Sequence, residues 1–157
     1  MMATPALLLI LISTSALFVV PGHGLPVTSS LSTWMRDVHN DLKDIPLSEL
    51  AIPGSHNSGA YWIDENGPLA SNQPDLVRTL VENWEPARAI IKKYSITQTL
   101  DVLEQLNHGV RHLDIRVAVF NGSFHVYHGF YGKTLHFVLQ QVKQFWRPIL
   151  RKLFFLV

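Results

Sequence analysis

The chain has 157 residues, 47% of them hydrophobic and 16% charged, with a formal net charge of +1 and no cysteine. That length suits one domain, the apolar content excludes a disordered chain, and near-neutrality removes the electrostatic case for nucleic acid. Without cysteine there is neither a disulfide framework nor a thiolate metal site, although the compartment stays open.

The N-terminal stretch MMATPALLLILISTSALFVVPGHG, residues 1–24, has an apolar run from Ala6 to Val20 and then a Pro/Gly break. Those fifteen residues fall short of the roughly 20 that a membrane span needs and suit the core of a signal peptide. Gly22 and Gly24 stand as small residues at −3 and −1 of a cleavage site. A signal peptide is therefore expected over 1–24, with entry into the secretory pathway. The lack of Lys or Arg before the apolar run leaves an uncleaved anchor or a buried helix as alternatives to a cleaved leader, and a cytoplasmic location as the alternative to secretion.

A short helix is expected from near Ser30 in LSTWMRDVHNDL, and a strand over Ser48–Ile52 that Pro53-Gly54 stops. Residues 66–74 have loop composition. DLVRTLVENW places Leu76, Leu80 and Val81 on one helical face, with Pro86 as punctuation. In SITQTLDVLEQLNHG, Ser95 and Gln98 have capping-box spacing, Leu100, Leu103 and Leu106 recur helically, and Gly109 suits the C′ position.

VRHLDIRVAVF then alternates as one strand, with Leu113, Ile115, Val117 and Val119 on one face and His112, Asp114, Arg116 and Ala118 on the other. Asn121-Gly122 signals a tight hairpin turn. SFHVYHG returns as a second strand in which Phe124, Val126 and His128 share a face. The last helix, KTLHFVLQQVKQFW, carries an apolar stripe of Leu135, Val138, Leu139, Val142, Phe145 and Trp146, capped by Thr134 and ended or kinked by Pro148. The order of elements is that of an α/β protein, with too few strands for a closed (β/α)₈ barrel of about 250 residues.

Three polar clusters stand near strand ends: His56-Asn57, Asp114-Ile115-Arg116 and His128-Gly129. Two imidazoles and a guanidinium suit phosphodiester chemistry. One ring can take a proton from an attacking hydroxyl, the other can give one to the leaving oxygen, and the guanidinium can hold the phosphoryl oxygens. Spacing alone leaves ordinary alternatives open: a same-face ion pair for Asp114 and Arg116, and a structural hydrogen bond for His128. Zinc is disfavoured, because the HxxH pair of His125 and His128 points its rings to opposite faces of a strand. Asn121-Gly122-Ser123 also fits a glycosylation sequon, which matters only in the secretory pathway.

Taken in order, LSELAIPGSHNSGAYWIDE, YSITQTLDVLEQLNHGVRHLDIRVAVF and FHVYHGFYGKTLHFVLQQVKQFW resemble the phosphatidylinositol-specific phospholipase C X-domain family, from about Trp34 to Trp146. The likeness is greatest to small animal proteins that carry an X domain and little else. The resemblance implies residues 25–157 as a partial X domain. The fold it implies is α/β, the N-terminal part of a distorted TIM-type barrel with its site at the C-terminal ends of the strands. It implies cleavage of phosphatidylinositol or a related phospholipid at a membrane surface, releasing diacylglycerol. His56 matches the general base, His128 the general acid, Arg116 the phosphate-stabilising arginine, and Asp114 and Asn57 supporting positions. A histidine-containing relative with the same barrel, glycerophosphodiester phosphodiesterase, would need an early His-Arg-Gly motif, and His56 is followed by Asn57-Ser58 instead.

Two departures qualify that implication. Calcium-dependent relatives have a carboxylate where Arg116 stands, while Asn57 matches them; a fixed guanidinium charge repels Ca²⁺, so no metal or other cofactor is expected and calcium is the disfavoured alternative. After QQVKQFW the chain reads RPILRKLFFLV and stops, without the family's later strands. An incomplete barrel leaves strand edges unpaired and apolar helix faces uncovered. The expectation is that the chain alone is unstable or inactive, a fragment that binds lipid or a partner being the non-catalytic alternative. No protein partner is legible.

Overall fold

The computed structural model describes residues 30–154, with side chains as far as Arg147. The leader expected over 1–24 lies outside the described residues. In chain order the elements are helices α1 (Trp34–Asp37) and α2 (His39–Leu42), strand β1 (Gly54–Ser55), helices α3 (Asp75–Asn83), α4 (Ala87–Ser95) and α5 (Val102–Asn107), strands β2 (His112–Leu113), β3 (Val117–Phe120), β4 (Ser123–His128) and β5 (Phe130–Thr134), and helix α6 (Leu135–Phe154).

Two small sheets organise them. β1 and β2 pair in parallel, with Gly54 opposite His112 and Ser55 opposite Leu113. Parallel neighbours need a long crossover, which α3, α4 and α5 supply. β3, β4 and β5 form an antiparallel sheet in that order, and single bridges from Ile63 to Gly132 and from Leu69 to Phe130 extend it. The mixed α/β class is as expected; among the described residues the strands form these two sheets and not a closed barrel.

The core lies in two clusters. Ala60, Ile63, Val81, Ala87 and Phe130 pack under α3 and α4. Val102, Leu106, Val126, Val138 and Phe145 lock α5 and α6 onto β4. Each fully buried Val or Phe side chain contributes about 1.5–3 kcal/mol through removal from water. At the hairpin tip, Asn121 and Gly122 have φ of 48° and 73°, the left-handed pair that a two-residue turn demands.

Several local expectations are corrected. The strand expected over Ser48–Ile52 is a 3-10 turn at Leu47–Glu49, and the pairing begins beyond the proline at Gly54; Leu47 is exposed, so its apolarity marks no core face. Ser95 does not cap the central helix but ends α4. The box is built by Asp101 and Glu104, whose side chains reciprocally accept each other's backbone N–H groups.

The long strand breaks at 114–116 because those residues turn their backbone groups elsewhere. The Asp114 carbonyl accepts from Ser58 N–H and the Arg116 carbonyl from Tyr127 N–H. A register shift between His125 and Tyr127 separates Phe124, exposed, from buried Val126, so the face they were expected to share does not persist. On α3, Val81 is buried while Leu76 and Leu80 face outward. On α6, Val138 and Phe145 are buried while Leu139 and Trp146 remain exposed. α6 also continues through Pro148, since an internal proline forfeits one helical hydrogen bond and leaves later turns able to form theirs.

Candidate functional site

β1 delivers His56 to a turn, and the parallel register delivers Asp114 beside it. Asp114 N–H donates to the Ser55 carbonyl (3.3 Å) and Ser58 N–H to the Asp114 carbonyl (2.7 Å). Between them Asn57 adopts φ +48°, a left-handed conformation that asparagine tolerates better than most side chains. The tight bend lets one Asp114 carboxylate oxygen serve two donors, His56 Nδ1 at 2.9 Å and Asn57 N–H at 3.2 Å.

These contacts fix the histidine's tautomer. A carboxylate only accepts, so His56 carries its proton on Nδ1. Nε2 then presents a lone pair, which accepts from the Asn57 side-chain amide at 3.1 Å. The ring itself is exposed, its side chain at 68%, so Nε2 is reachable from solvent. The Asn57 N–H does most to hold the Asp114 carboxyl below its ordinary range; burial opposes it, and the Arg116 charge and the His56 hydrogen bond reinforce it.

Side chains outside the expected set hold this turn in place. Thr97 Oγ1 donates to the Asn57 carbonyl (3.1 Å) and Gln98 Nε2 to the His56 carbonyl (2.7 Å). Gln105 is buried. Its amide donates to the carbonyls of Ser58 (2.9 Å) and Leu100 (2.8 Å), and its Oε1 accepts from the Ser55 hydroxyl (2.6 Å). Gln98 carried a sequence signal, but one that reads as helix capping; nothing in Gln105's helical spacing marks it as more than a core-facing residue.

His128 ends β4, and Gly129 follows with φ +78°. A side chain there would overlap Ser95 Oγ, so glycine lets the strand end lie against the end of α4. His128 Nδ1 meets the Ser95 carbonyl at 2.8 Å. A carbonyl only accepts, so this nitrogen is protonated and Nε2 is left for chemistry. His128 and Arg116 line one open cleft of about 340 Å³, while His56 and Asp114 line a concavity of about 330 Å³.

The expected residues thus fall into two groups, His56–Asn57–Asp114 and Arg116–His128. Segment 95–98 touches both, because it gives Ser95 to His128 and Thr97 and Gln98 to the His56 turn. Among the described residues no hydrogen bond joins the two histidines, and Arg116 and Asp114 form no ion pair; Asp114 pairs with His56 instead. His125 turns away from His128, its Nδ1 bonding the Gly132 carbonyl at 3.0 Å.

Among the described residues, no three His, Asp or Glu side chains converge as a metal site. Asn57 Oδ1 is buried and without a hydrogen-bond partner, and the Asp114 carboxylate beside it is already engaged.

Comparison with known proteins places these residues in context. The chain is similar to PI-PLC X domain-containing protein 2 of Homo sapiens, 35% identical over 116 residues that cover 71% of this chain and 38% of that protein. It is 33% identical over 128 residues to PI-PLC X domain-containing protein 3 of Danio rerio, covering 78% of this chain and 40% of that one. With PI-PLC X domain-containing protein 1 of Homo sapiens it shares 39% identity over 108 residues, 67% of this chain and 31% of that protein. The chain therefore spans well under half the length of these relatives. No family model and no solved structure gives a significant match.

Proposed function

The chain belongs to the family of PI-PLC X domain-containing proteins, and on that premise we propose that it carries the working side chains of a phospholipase C-like phosphodiesterase acting on phosphatidylinositol-type lipids. The observation that carries the reading is the commitment of both histidines through Nδ1, His56 to a carboxylate and His128 to a backbone carbonyl. Each ring is thereby held with Nε2 available as the reacting atom.

In the proposed reaction, His56 Nε2 takes the proton of a head-group hydroxyl, whose oxygen attacks phosphorus. The phosphorus–oxygen bond to the glycerol carbon chain breaks, and the Nε2 proton of a protonated His128 passes to the departing diacylglycerol oxygen. The products are diacylglycerol and a cyclic inositol phosphate, which water can open. The Asp114 carboxylate behind His56 stabilises the charge the ring acquires, and Arg116 neutralises the phosphoryl oxygens. To reach Nε2, the substrate hydroxyl displaces the Asn57 amide. Each proton transfer contributes roughly 10²–10⁴-fold.

β1 and β2 run parallel, and His56 and Asp114 follow their C-terminal ends. That placement supports the proposal that these strands open a distorted TIM-type barrel, in which such ends carry the site. Residues 25–157 are then part of an X domain, the leader over 1–24 directs secretion, and the substrate is met at a membrane surface. The fixed positive charge of Arg116 supports chemistry without calcium.

The product decides the reading. Both Nδ1 contacts form within this chain, so, against the inactivity expected of an incomplete barrel, its incubation with phosphatidylinositol vesicles and a calcium chelator should release diacylglycerol and water-soluble inositol phosphate, resolved by mass spectrometry. Phosphatidic acid or a lysolipid as the product would reject it, because either requires a different bond to break.

A further inference from the structure

The cleft that holds Arg116 and His128 is also lined by Asn72, Gln73, Tyr94 and Tyr127, none of which the phosphodiester step uses. Three of these form a directional chain. Gln73 Nε2 donates to Asn72 Oδ1 at 3.2 Å, and Asn72 Nδ2 donates to the Tyr127 hydroxyl oxygen at 3.1 Å. An oxygen that accepts in this way keeps its own hydrogen free, and successive donation polarises the terminal O–H.

The chain rests on a braced loop. The Arg78 guanidinium donates to the carbonyls of Gln73 (3.2 Å), Ala70 (3.4 Å) and Ser71, and Ala70 N–H donates to the Gly129 carbonyl at 2.9 Å. The same loop is thereby fastened to the residue that follows His128. Tyr127 N–H in turn donates to the Arg116 carbonyl (3.1 Å), which sets the tyrosine beside the arginine. Neutral amides and a phenol suit neutral hydroxyls, whereas the guanidinium suits an oxyanion.

Resting on the phosphodiesterase reading above, we infer that Tyr127 is a substrate-binding residue whose hydroxyl donates to a polyol oxygen of the head group, oriented by Gln73 and Asn72, while Arg116 and His128 take the phosphate. The ligand class is a phosphorylated polyol.

The test measures binding of two probes, myo-inositol 1-phosphate and inorganic phosphate, by chemical-shift titration of the full chain and of Tyr127→Phe, Asn72→Ala and Arg116→Ala. Tyr127→Phe should weaken the inositol phosphate about five- to tenfold, the size of one net hydrogen bond, and leave inorganic phosphate within about twofold. Asn72→Ala should act in the same direction by a smaller factor, and Arg116→Ala should weaken both probes. Unchanged inositol phosphate affinity in Tyr127→Phe overturns this inference, as does equal weakening of both probes; either leaves the phosphodiesterase reading standing if Arg116→Ala weakens both. Failure of the unaltered chain to bind either probe overturns both readings. Retained melting behaviour of Tyr127→Phe separates a lost contact from a lost fold.

Discussion

Replacing Gln105 tests how the fold holds the His56 turn. The side chain is 3% exposed and spends both amide hydrogens on the Ser58 and Leu100 carbonyls while its oxygen accepts from the Ser55 hydroxyl. Gln105→Met keeps length and apolar bulk but removes every polar atom. Each carbonyl left without this donor costs about 1–3 kcal/mol, and the hydroxyl has a second oxygen, Ser58 Oγ, within 2.7 Å, so the loss should be about 3 kcal/mol. Against a typical total of about 5–15 kcal/mol that is a large fraction. Urea denaturation followed by tryptophan fluorescence reads it directly. Gln105→Glu sharpens the reasoning, because a carboxylate would face two carbonyls and should destabilise at least as much. A loss under about 1 kcal/mol for Met, or tolerance of Glu, would refute the argument that both amide hydrogens are spent on backbone oxygens.

Gly129→Ala adds a methyl group at φ +78° against Ser95 Oγ and, at 3.1 Å, Ile91 Cγ2; left-handed strain and overpacking together should cost about 2–4 kcal/mol. A nitrogen NMR spectrum should show His128 losing its fixed Nδ1–H tautomer as well, and an unchanged melt with an unchanged spectrum would contradict both effects. Asp114 has a depressed folded-state pKa, so its contribution is present above its ordinary 3.8 and lost as pH falls through the folded value. Asp114→Asn should therefore lower stability at neutral pH, and the difference from the parent should shrink only as pH falls below 3.8 and through the depressed folded value; curves that stay parallel in acid speak against it. Burial, helped by the charge of Asp101 and opposed by the Gln141 hydrogen bond, pushes the Tyr61 hydroxyl up to about 12. That contribution is complete below pH 10.0 and lost as pH rises towards 12. Tyr61→Phe should shed that part of the alkaline decline, and an identical pH profile in urea melts would count against the assignment.

The polar clusters were legible because short local signals mark them. Pro53-Gly54 before His56 and the Asn121-Gly122 turn are each readable within a few residues, whereas the alternation through Asp114 and Arg116 runs across the break between β2 and β3. Non-local pairing was not. That His56 stands against Asp114 depends on the register of β1 with β2, which are separated by three helices. The His128 partner is a backbone carbonyl, which no side-chain pattern announces. α4 was overlooked because Pro86 read as punctuation, although a proline at a helix start is compatible with the turns that follow it. β5 follows β4 after one glycine and is too short for alternation to show. Leu76 and Leu80 misled in the opposite direction, since helical spacing says that residues share a face and not which face is covered.

The central claim is that His56 and His128 exchange protons with the two oxygens of one phosphodiester. Diacylglycerol release from phosphatidylinositol vesicles by the chain, His56→Ala and His128→Ala measures it most directly. The account predicts release by the unaltered chain and a fall of roughly 10²–10⁴-fold in each variant. Undiminished release in both variants, or none from the unaltered chain, would contradict it.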